Sequence, residues 1–205
     1  MIKIGFSGLP STGKTTLTQA VNLALKQSTD LNRVELVSEY ARSYIRKYGG
    51  IENIWEQYRL VDIQQEWETL ADKSKIDVML ADSPIQLAFL YATELNGGTA
   101  KEQMVMSDIF KKISKITADS PYDIIFHLPE DGIPVLLDDV RHECIKDKKW
   151  RTQADAFTRS LFKMFKPCTF EVVEQTTLDE RVDWVVQKIR EYVLNKELIN
   201  PFHEI

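Results

Sequence analysis

The sequence predicts an α/β domain built on a parallel sheet of five strands, and three observations support this prediction. Short apolar runs alternate with helix-like segments along the whole chain, which is typical of parallel strands joined by crossover helices. Apolar residues make up 43% and charged residues 28% of the 205 residues, which fits a sizeable buried core and excludes a disordered chain. No internal repeat or long linker divides the chain, so we expect a single domain.

The predicted strands are short runs dominated by apolar and β-branched residues. The first ends in a glycine-containing turn. The third is apolar except for Asp77, as expected when helices cover both faces of a parallel sheet. In chain order the predicted strands are Ile2–Ser7, Val34–Val37, Ile76–Ala81, Tyr122–Leu128 and Thr169–Val173.

The predicted helices lie between these strands and carry apolar residues at helical spacing. Gly49-Gly50 ends the second helix, and Asn96-Gly97-Gly98 ends the fourth, which is apolar nearly all round and therefore expected to be buried. In chain order they are Thr15–Lys26, Tyr40–Tyr48, Asn53–Lys73, Ile85–Leu95, Lys101–Thr117, Trp150–Phe165 and Leu178–Leu194, followed by an irregular tail, Asn195–Ile205.

The charge, the cysteines and the hydropathy of the sequence exclude several classes of protein. A net charge of −5 and a pI near 5.3 argue against a protein that coats nucleic acid or anionic membranes through its overall charge. Cys144 and Cys168 form no CxxC motif, which predicts reduced thiols in a cytosol-like compartment. The most apolar stretch, Ile76–Ala92, is interrupted by two aspartates and a proline, so no membrane span fits. We therefore expect a cytoplasmic protein without a signal peptide.

The clearest motif is Gly8-Leu9-Pro10-Ser11-Thr12-Gly13-Lys14-Thr15, which matches the phosphate-loop pattern G-x-x-x-x-G-K-[ST] between a strand and a helix. Its glycines let successive backbone N–H groups point at a phosphate, helped by the dipole of the following helix. The lysine supplies a charge between the β- and γ-phosphates, and the threonine hydroxyl is a ligand for Mg²⁺. The motif predicts that ATP or GTP binds to Gly8, Ser11, Thr12, Gly13, Lys14 and Thr15, with Thr16 as a candidate for the α-phosphate.

Two carboxylates follow strands that should end beside this loop. Glu39, in Ser38-Glu39-Tyr40-Ala41-Arg42, is placed to accept a proton from an acceptor hydroxyl, and Arg42 to hold substrate or phosphate. The alternative is that Glu39 only complements a helix dipole. Asp82 follows the third strand, where a Walker-B aspartate would lie on the magnesium side of the loop. The alternative interpretation is that Asp82 is an ordinary helix cap.

A charged segment at about residues 129–150 is the candidate lid. It contains Asp138-Asp139-Val140-Arg141 and several lysines, and Arg151 follows it. A closing lid excludes water and brings guanidinium groups onto the transferring phosphoryl group. Arg141 and Arg151 are the better candidates because their planar fork suits phosphate oxygens, while the lysines are expected to be solvated surface.

Other polar side chains are candidates for substrate contacts. On the helix after the second strand, Gln65, with Gln64 and Glu68, is polar enough to recognise an acceptor, and Gln175 and Thr176 are placed to border a base.

Three aromatic residues and one histidine in the predicted helices and strands can be explained by packing in the core. Trp55, Tyr58 and Trp67 either stack on an acceptor base or belong to the core. His127 lies inside an apolar strand and is expected to be a core or strand-end histidine.

Taken together, G-L-P-S-T-G-K-T-T at 8–16, S-E-Y-A-R at 38–42, D-S at 82–83 and D-D-V-R at 138–141 resemble the NadR-type ribosylnicotinamide kinase domain, which has bacteriophage relatives. The resemblance runs from about Met1 to Val193. It implies a three-layer P-loop NTPase fold of the nucleoside and nucleotide kinase type, with strand order 2-3-1-4-5. It also implies ATP with Mg²⁺ as donor and a ribonucleoside-like acceptor.

By position, the resemblance implies that Lys14 and Thr15 bind the phosphates and the metal ion, and that Glu39 and Arg42 line the acceptor site. It also implies that Asp82 is the carboxylate near the metal and that Arg141 is the lid arginine. The sequence departs from the family in three places: Ser83 stands for threonine, Asp139 for glycine, and Val135 follows Pro134 where an aromatic is usual. The sequence also lacks the adenylyltransferase domain that accompanies some members of the family.

We therefore expect one kinase domain over residues 1–195, a C-terminal tail over 196–205, and phosphoryl transfer from ATP to a hydroxyl of a nucleoside-like acceptor. Two alternatives stay open. One is a kinase whose acceptor is a hydroxymethylated pyrimidine in DNA, and the other is a nucleotide-dependent switch ATPase without an acceptor.

Overall fold

The structure is a computed structural model, and it describes residues 1–27, 33–74, 76–130, 147–165 and 169–199. Five parallel strands form one sheet in the order β2-β3-β1-β4-β5, which confirms the predicted sheet. The strands are β1 (Ile2–Gly8), β2 (Val34–Val37), β3 (Val78–Asp82), β4 (Ile124–Leu128) and β5 (Thr169–Val172).

Helices connect these strands at the predicted places. They are α1 (Lys14–Lys26), α2 (Tyr40–Tyr48), α3 (Ile54–Lys73), α4 (Leu87–Glu94), α5 (Ala100–Asp119), α6 (Lys148–Phe165) and α7 (Leu178–Ile199). The prediction of irregular structure from Asn195 was wrong as far as Ile199. Residues 195–199 contain no glycine or proline, so nothing in the sequence stops the helix before that point.

Alternate residues of the central strands bury against different helical layers, which is why these strands are apolar throughout. In β3, Val78 and Leu80 pack with residues of α1 and α7, whereas Met79 and Ala81 pack with residues of α3, α4 and α6. Each fully buried aliphatic side chain of this kind contributes about 1.5–3 kcal/mol. The sheet is thereby fixed between two helical layers, with the carboxyl ends of its strands at one edge.

A buried ionic cluster lies at the opposite edge, where the strands begin. Lys3 Nζ lies 2.8 Å from Glu68 Oε2, and the Tyr122 hydroxyl donates to Glu68 Oε1 over 2.7 Å. All three side chains are buried. The interpretation of Glu68 as an acceptor contact was wrong, because the residue faces the start of β1 and is fully engaged there.

Within the described part of the chain, none of the helices combines the length and apolar character that a bilayer crossing requires.

Candidate functional site

The phosphate loop joins β1 to α1 and owes its shape to residues with left-handed backbone. Gly8, Ser11 and Gly13 have φ of 141°, 69° and 86°. A Cβ at Gly8 would lie 2.6 Å from the Leu128 carbonyl oxygen, so only glycine fits there. Gly13 is the N-cap of α1 and has no side chain with which to cap it, and the first N–H groups of such a helix suit an anion.

Side chains of the loop hold it closed. Thr12 Oγ1 and Lys14 Nζ both donate to the Leu9 carbonyl oxygen, over 2.8 Å and 3.1 Å. Lys14 is only 5% exposed, so its ammonium group is held inside the loop. Thr16 is exposed on the first turn of α1.

Asp82 lies beside the loop, as the Walker-B interpretation predicts. The Thr15 hydroxyl donates to Asp82 Oδ2 over 2.6 Å, while Oδ1 is buried and has no protein partner in the described ranges. The cap interpretation was wrong, because Gln86 is the N-cap of α4. A threonine hydroxyl beside an unpartnered carboxylate oxygen suits Mg²⁺, which prefers oxygen ligands and often uses one or two carboxylates with substrate phosphates.

Glu39 is the N-cap residue of α2, but its side chain does not cap that helix. Glu39 Oε2 lies 3.5 Å from Arg42 Nη2 and forms an ion pair with it. Burial has the largest effect on the pKa of Glu39 and raises it, as does the negative charge of Asp82. The positive charges of Lys14 and Arg42 and a hydrogen bond with the Ser83 hydroxyl lower it, and the net result is a raised pKa. The Glu39 carboxylate therefore interacts electrostatically with Lys14 and Asp82, and at the N-cap of α2 it also stands where a negative charge complements the helix dipole.

Ser83 follows Asp82 with a φ of 75°, in the left-handed region, and is 7% exposed. Its backbone N–H donates to the Phe6 carbonyl oxygen over 3.2 Å, which holds this turn against β1. A β-branched threonine is strained more than serine at positive φ. The departure from the family's threonine thus matches the local backbone.

The structure brings Gln64, rather than Gln65, to the start of α2. Gln64 Oε1 accepts from the Tyr40 N–H over 3.0 Å, and its Nε2 is buried without a partner in the described part of the chain. Gln65 is one position further round α3 and half-buried. Gln64 shares its helical face with the buried Gln57 and Val61, and this spacing is the signal that could have distinguished it from Gln65.

The aromatic residues of α3 mostly belong to the core. Tyr58 and Trp67 pack against core clusters, and Trp67 also meets Tyr40 edge to face at 5.0 Å. Trp55 is 47% exposed.

Arg151 reaches the phosphate loop from α6. Its Nη1 donates to the Pro10 carbonyl oxygen over 3.0 Å, and its Nε donates to Glu130 Oε2 over 2.9 Å. The side chain is 4% exposed, and Nη2 has no partner among the described residues. Arg141, the other predicted lid arginine, lies outside the described residues, as does the rest of the segment 131–146.

Arg181 of α7 is a candidate that the sequence interpretation missed. Its Nε donates to the Gln175 carbonyl oxygen over 2.7 Å, and its Nη1 lies 3.9 Å from where a Cβ on Gly13 would stand. Burial lowers its pKa. No spacing rule links residue 181 to residue 13, so only the packing of α7 on α1 could reveal it.

Comparisons with solved structures confirm the expected fold and the resemblance to NadR. Thymidylate kinase from Ehrlichia chaffeensis aligns with a TM-score of 0.64 and 17% identity, over 92% of this chain and 98% of that one. A NadR protein in complex with NR aligns with a TM-score of 0.70 and 16% identity, over 94% of this chain. This chain spans 50% of the length of that NadR chain.

Comparison with curated protein sequences gave no match. A family model described as an AAA domain matches residues 3–181, which include the phosphate loop, Glu39, Asp82 and Arg151. The chain has the P-loop kinase fold and belongs to the AAA domain family.

Proposed function

We propose that this protein is an ATP- and Mg²⁺-dependent kinase that transfers the γ-phosphate to a hydroxyl of a nucleoside-like acceptor. The observation that carries the proposal is the placement of the Glu39 carboxylate. Its charge interacts with those of Lys14 and Asp82, which are both buried, and burial is the chief cause of its raised pKa. A carboxylate in this position can accept the proton of an acceptor hydroxyl, which is the step that a kinase requires.

The donor side of the site suits a nucleotide triphosphate with magnesium. Lys14 and the N–H groups at the start of α1 would hold the phosphates, and Arg151 Nη2 is a further buried donor. Thr15 and Asp82 Oδ1 would hold the metal ion. When bound, Mg²⁺ supplies positive charge that offsets the charge of the transferring phosphoryl group.

The acceptor side is built around Glu39. An ionised carboxylate there accepts the proton of an acceptor hydroxyl, and a raised pKa brings its basicity closer to neutral pH, where proton transfer is more effective. Arg42, paired with Glu39, keeps the carboxylate oriented. Gln64 offers a buried amide N–H₂ to the acceptor, and Gln65, Arg42 and Asp82 complete the proposed acceptor set. Arg141 keeps the lid role that the family resemblance implies.

Two neighbours support a nucleoside-like acceptor. The structural relatives are a thymidylate kinase and a NadR protein solved with NR, and both have this fold. The catalytic contribution proposed here is positioning and charge stabilisation, because a loose phosphoryl-transfer transition state needs little covalent help.

A second candidate, an acceptor nucleotide within single-stranded DNA, is favoured by the surface of α2. Tyr44 lies between Tyr40 and Tyr48, with ring centroids 6.5 Å and 4.6 Å away, and Tyr48 is 59% exposed. Arg46 and Lys47 are exposed on the same helix, which contains no acidic residue. Aromatic rings beside basic side chains are typical of single-strand binding surfaces.

The test is ADP release in the presence of ATP and Mg²⁺ with three sets of acceptors: a panel of ribo- and deoxyribonucleosides, single-stranded oligonucleotides containing hydroxymethylated pyrimidines, and no acceptor. A nucleoside-dependent rate with a mass increase of one phosphate in the nucleoside supports the proposal. Transfer to the oligonucleotide supports the second candidate. Equal ADP release in all three sets contradicts both and indicates a switch ATPase. Lys14→Ala is the control for contaminating kinases.

A further inference from the structure

A series of buried polar side chains connects the sheet to α6 next to the phosphate loop. His127 of β4 is fully buried, and its Nε2 lies 2.9 Å from Asp155 Oδ1 on α6. Its Nδ1 lies 3.3 Å from the Oγ of Ser7, the strand neighbour of His127 in β1. An ionised carboxylate only accepts hydrogen bonds, so Nε2–H of His127 donates to Asp155, while Nδ1 shares a hydrogen bond with the Ser7 hydroxyl.

Asp155 is held from its other side as well. Arg159 Nε donates to Asp155 Oδ2 over 2.7 Å. Burial raises the pKa of Asp155, but the hydrogen bonds from His127 and Arg159 outweigh burial and lower it. The carboxylate is therefore a fixed, ionised acceptor on α6.

Both ends of this series adjoin residues of the proposed nucleotide site. Ser7 directly precedes Gly8 of the phosphate loop, and Asp155 lies one helical turn after Arg151. Arg151 is bonded to Pro10 of the loop and to Glu130, and its buried Nη2 has no partner within the described residues.

Directional hydrogen bonds fix a helix more sharply than apolar contacts do. Burying His127 and Asp155 has a desolvation cost that an apolar pair would not have, and such pairs are best attested as devices that set register. A slip of one residue along α6 would move Arg151 by about 1.5 Å and rotate it by about 100° around the helix. The bond to Pro10 would then be lost.

We propose that His127 and Asp155 are positioning residues that hold α6 in one register, so that Arg151 presents Nη2 to a phosphate of the bound nucleotide. The inference rests on the proposed nucleotide-dependent function. His127 is fully buried, and Asp155 bonds to His127 and Arg159, so both residues would act on the nucleotide through Arg151.

The experiment is a double-mutant cycle on binding of AMPPNP, a non-hydrolysable ATP analogue, with Mg²⁺, measured by calorimetry. Arg151→Gln and His127→Leu are each expected to weaken binding about tenfold, the loss of roughly one charge-assisted hydrogen bond. The double variant is expected to bind about as weakly as either single variant, because both changes remove the same contact. His127→Gln, whose amide can donate to Asp155, should retain most of the affinity.

Thr158→Val is the matched control, because Thr158 is fully buried on α6 and its hydroxyl donates to the Ala154 carbonyl of its own helix. It is expected to leave AMPPNP affinity unchanged even if the melting temperature falls. Should His127→Leu not fold, Asp155→Asn takes its place in the cycle.

The outcomes separate this inference from the function on which it rests. No binding of AMPPNP by the unmodified chain would overturn both. Normal binding by the unmodified chain with unchanged affinity in His127→Leu, or losses that multiply in the double variant, would overturn the positioning role alone.

Discussion

The Thr15 hydroxyl donates a 2.6 Å hydrogen bond to Asp82 Oδ2, which joins the first turn of α1 to the last residue of β3 across a separation of 67 positions. The parallel pairing of β1 with β3 sets Phe6 beside Asp82 and so delivers the carboxylate to the start of the phosphate loop. The remaining oxygen, Oδ1, is buried and has no partner in the described ranges. This pair is the basis of the proposed metal site.

Replacing Asp82 by asparagine should raise the Mg²⁺ concentration needed for half-maximal activity about 10- to 100-fold, the range seen when groups that hold or orient metal ligands are removed. The amide keeps the size of the side chain but loses the negative charge. A magnesium titration of ATP turnover measures the effect. Asp72→Asn, at an exposed position on α3, is the control. An unchanged magnesium dependence in the Asp82 variant would rule out this metal site.

Lys14→Ala should reduce ATP turnover by about 10²–10³-fold with any acceptor, because the proposed function uses this buried positive charge to stabilise the migrating phosphoryl group. Turnover is followed as ADP release at saturating acceptor. Lys26→Ala, at the exposed end of the same helix, should behave like the unmodified protein. Equal activity in both variants would place the phosphates elsewhere.

Glu39→Gln should abolish the acidic limb of the profile of kcat/KM against pH. In the unmodified protein the base must be ionised, so activity should fall as the pH drops, with an inflection above the ordinary glutamate pKa because burial raises the pKa of Glu39. Glu35→Gln, at an exposed position on β2, should keep the limb. A full acidic limb in Glu39→Gln would assign it to another group.

Thermal melts of the same variant provide an independent check. An acid with a higher pKa in the folded than in the unfolded state binds more protons when folded. Its stabilising contribution is complete below the unfolded pKa and is lost as the pH rises through the folded pKa. Glu39→Gln should therefore gain in melting temperature over the unmodified protein as the pH rises above the ordinary glutamate pKa. A constant difference would contradict the raised pKa.

Arg181→Gln should weaken AMPPNP binding about fivefold, the loss of one hydrogen bond or weak ionic contact beside Gly13. The expected effect is modest because the guanidinium group is only partly buried. Calorimetry with Mg²⁺ measures it, and Arg190→Gln, exposed on the same helix, is the control. Equal affinities in the two variants would remove Arg181 from the nucleotide site.

Glu68→Gln should lower the free energy of unfolding by roughly 3–5 kcal/mol without changing AMPPNP affinity, because it leaves Lys3 buried without its partner. Urea denaturation measures the stability. The double variant Lys3→Met/Glu68→Leu, which replaces the pair by apolar groups, should recover much of the loss. A change in nucleotide affinity with no loss of stability would contradict the structural role assigned to Glu68.

Local sequence patterns were enough to predict the helices, the strands and the phosphate loop. Apolar runs and their spacing predicted each strand and helix to within a few residues, and the glycine and lysine pattern of residues 8–15 predicted the phosphate site. The end of α7 was missed because the sequence carries no stop signal before Ile199. Polarity alone did not separate Gln64 from Gln65, because a shift of one residue turns a helical side chain by about 100°.

The residue types alone determined that this chain would build a parallel sheet with a phosphate loop, because hydrophobic period, glycine conformation and charge all act over a few neighbouring positions. Only the tertiary structure decided which distant side chains meet: Asp82 with Thr15, Arg151 with Pro10, Arg181 near Gly13, and Glu68 with Lys3. The physical reason is that these contacts depend on strand order and helix register, which are set by the packing of the whole core rather than by any local sequence.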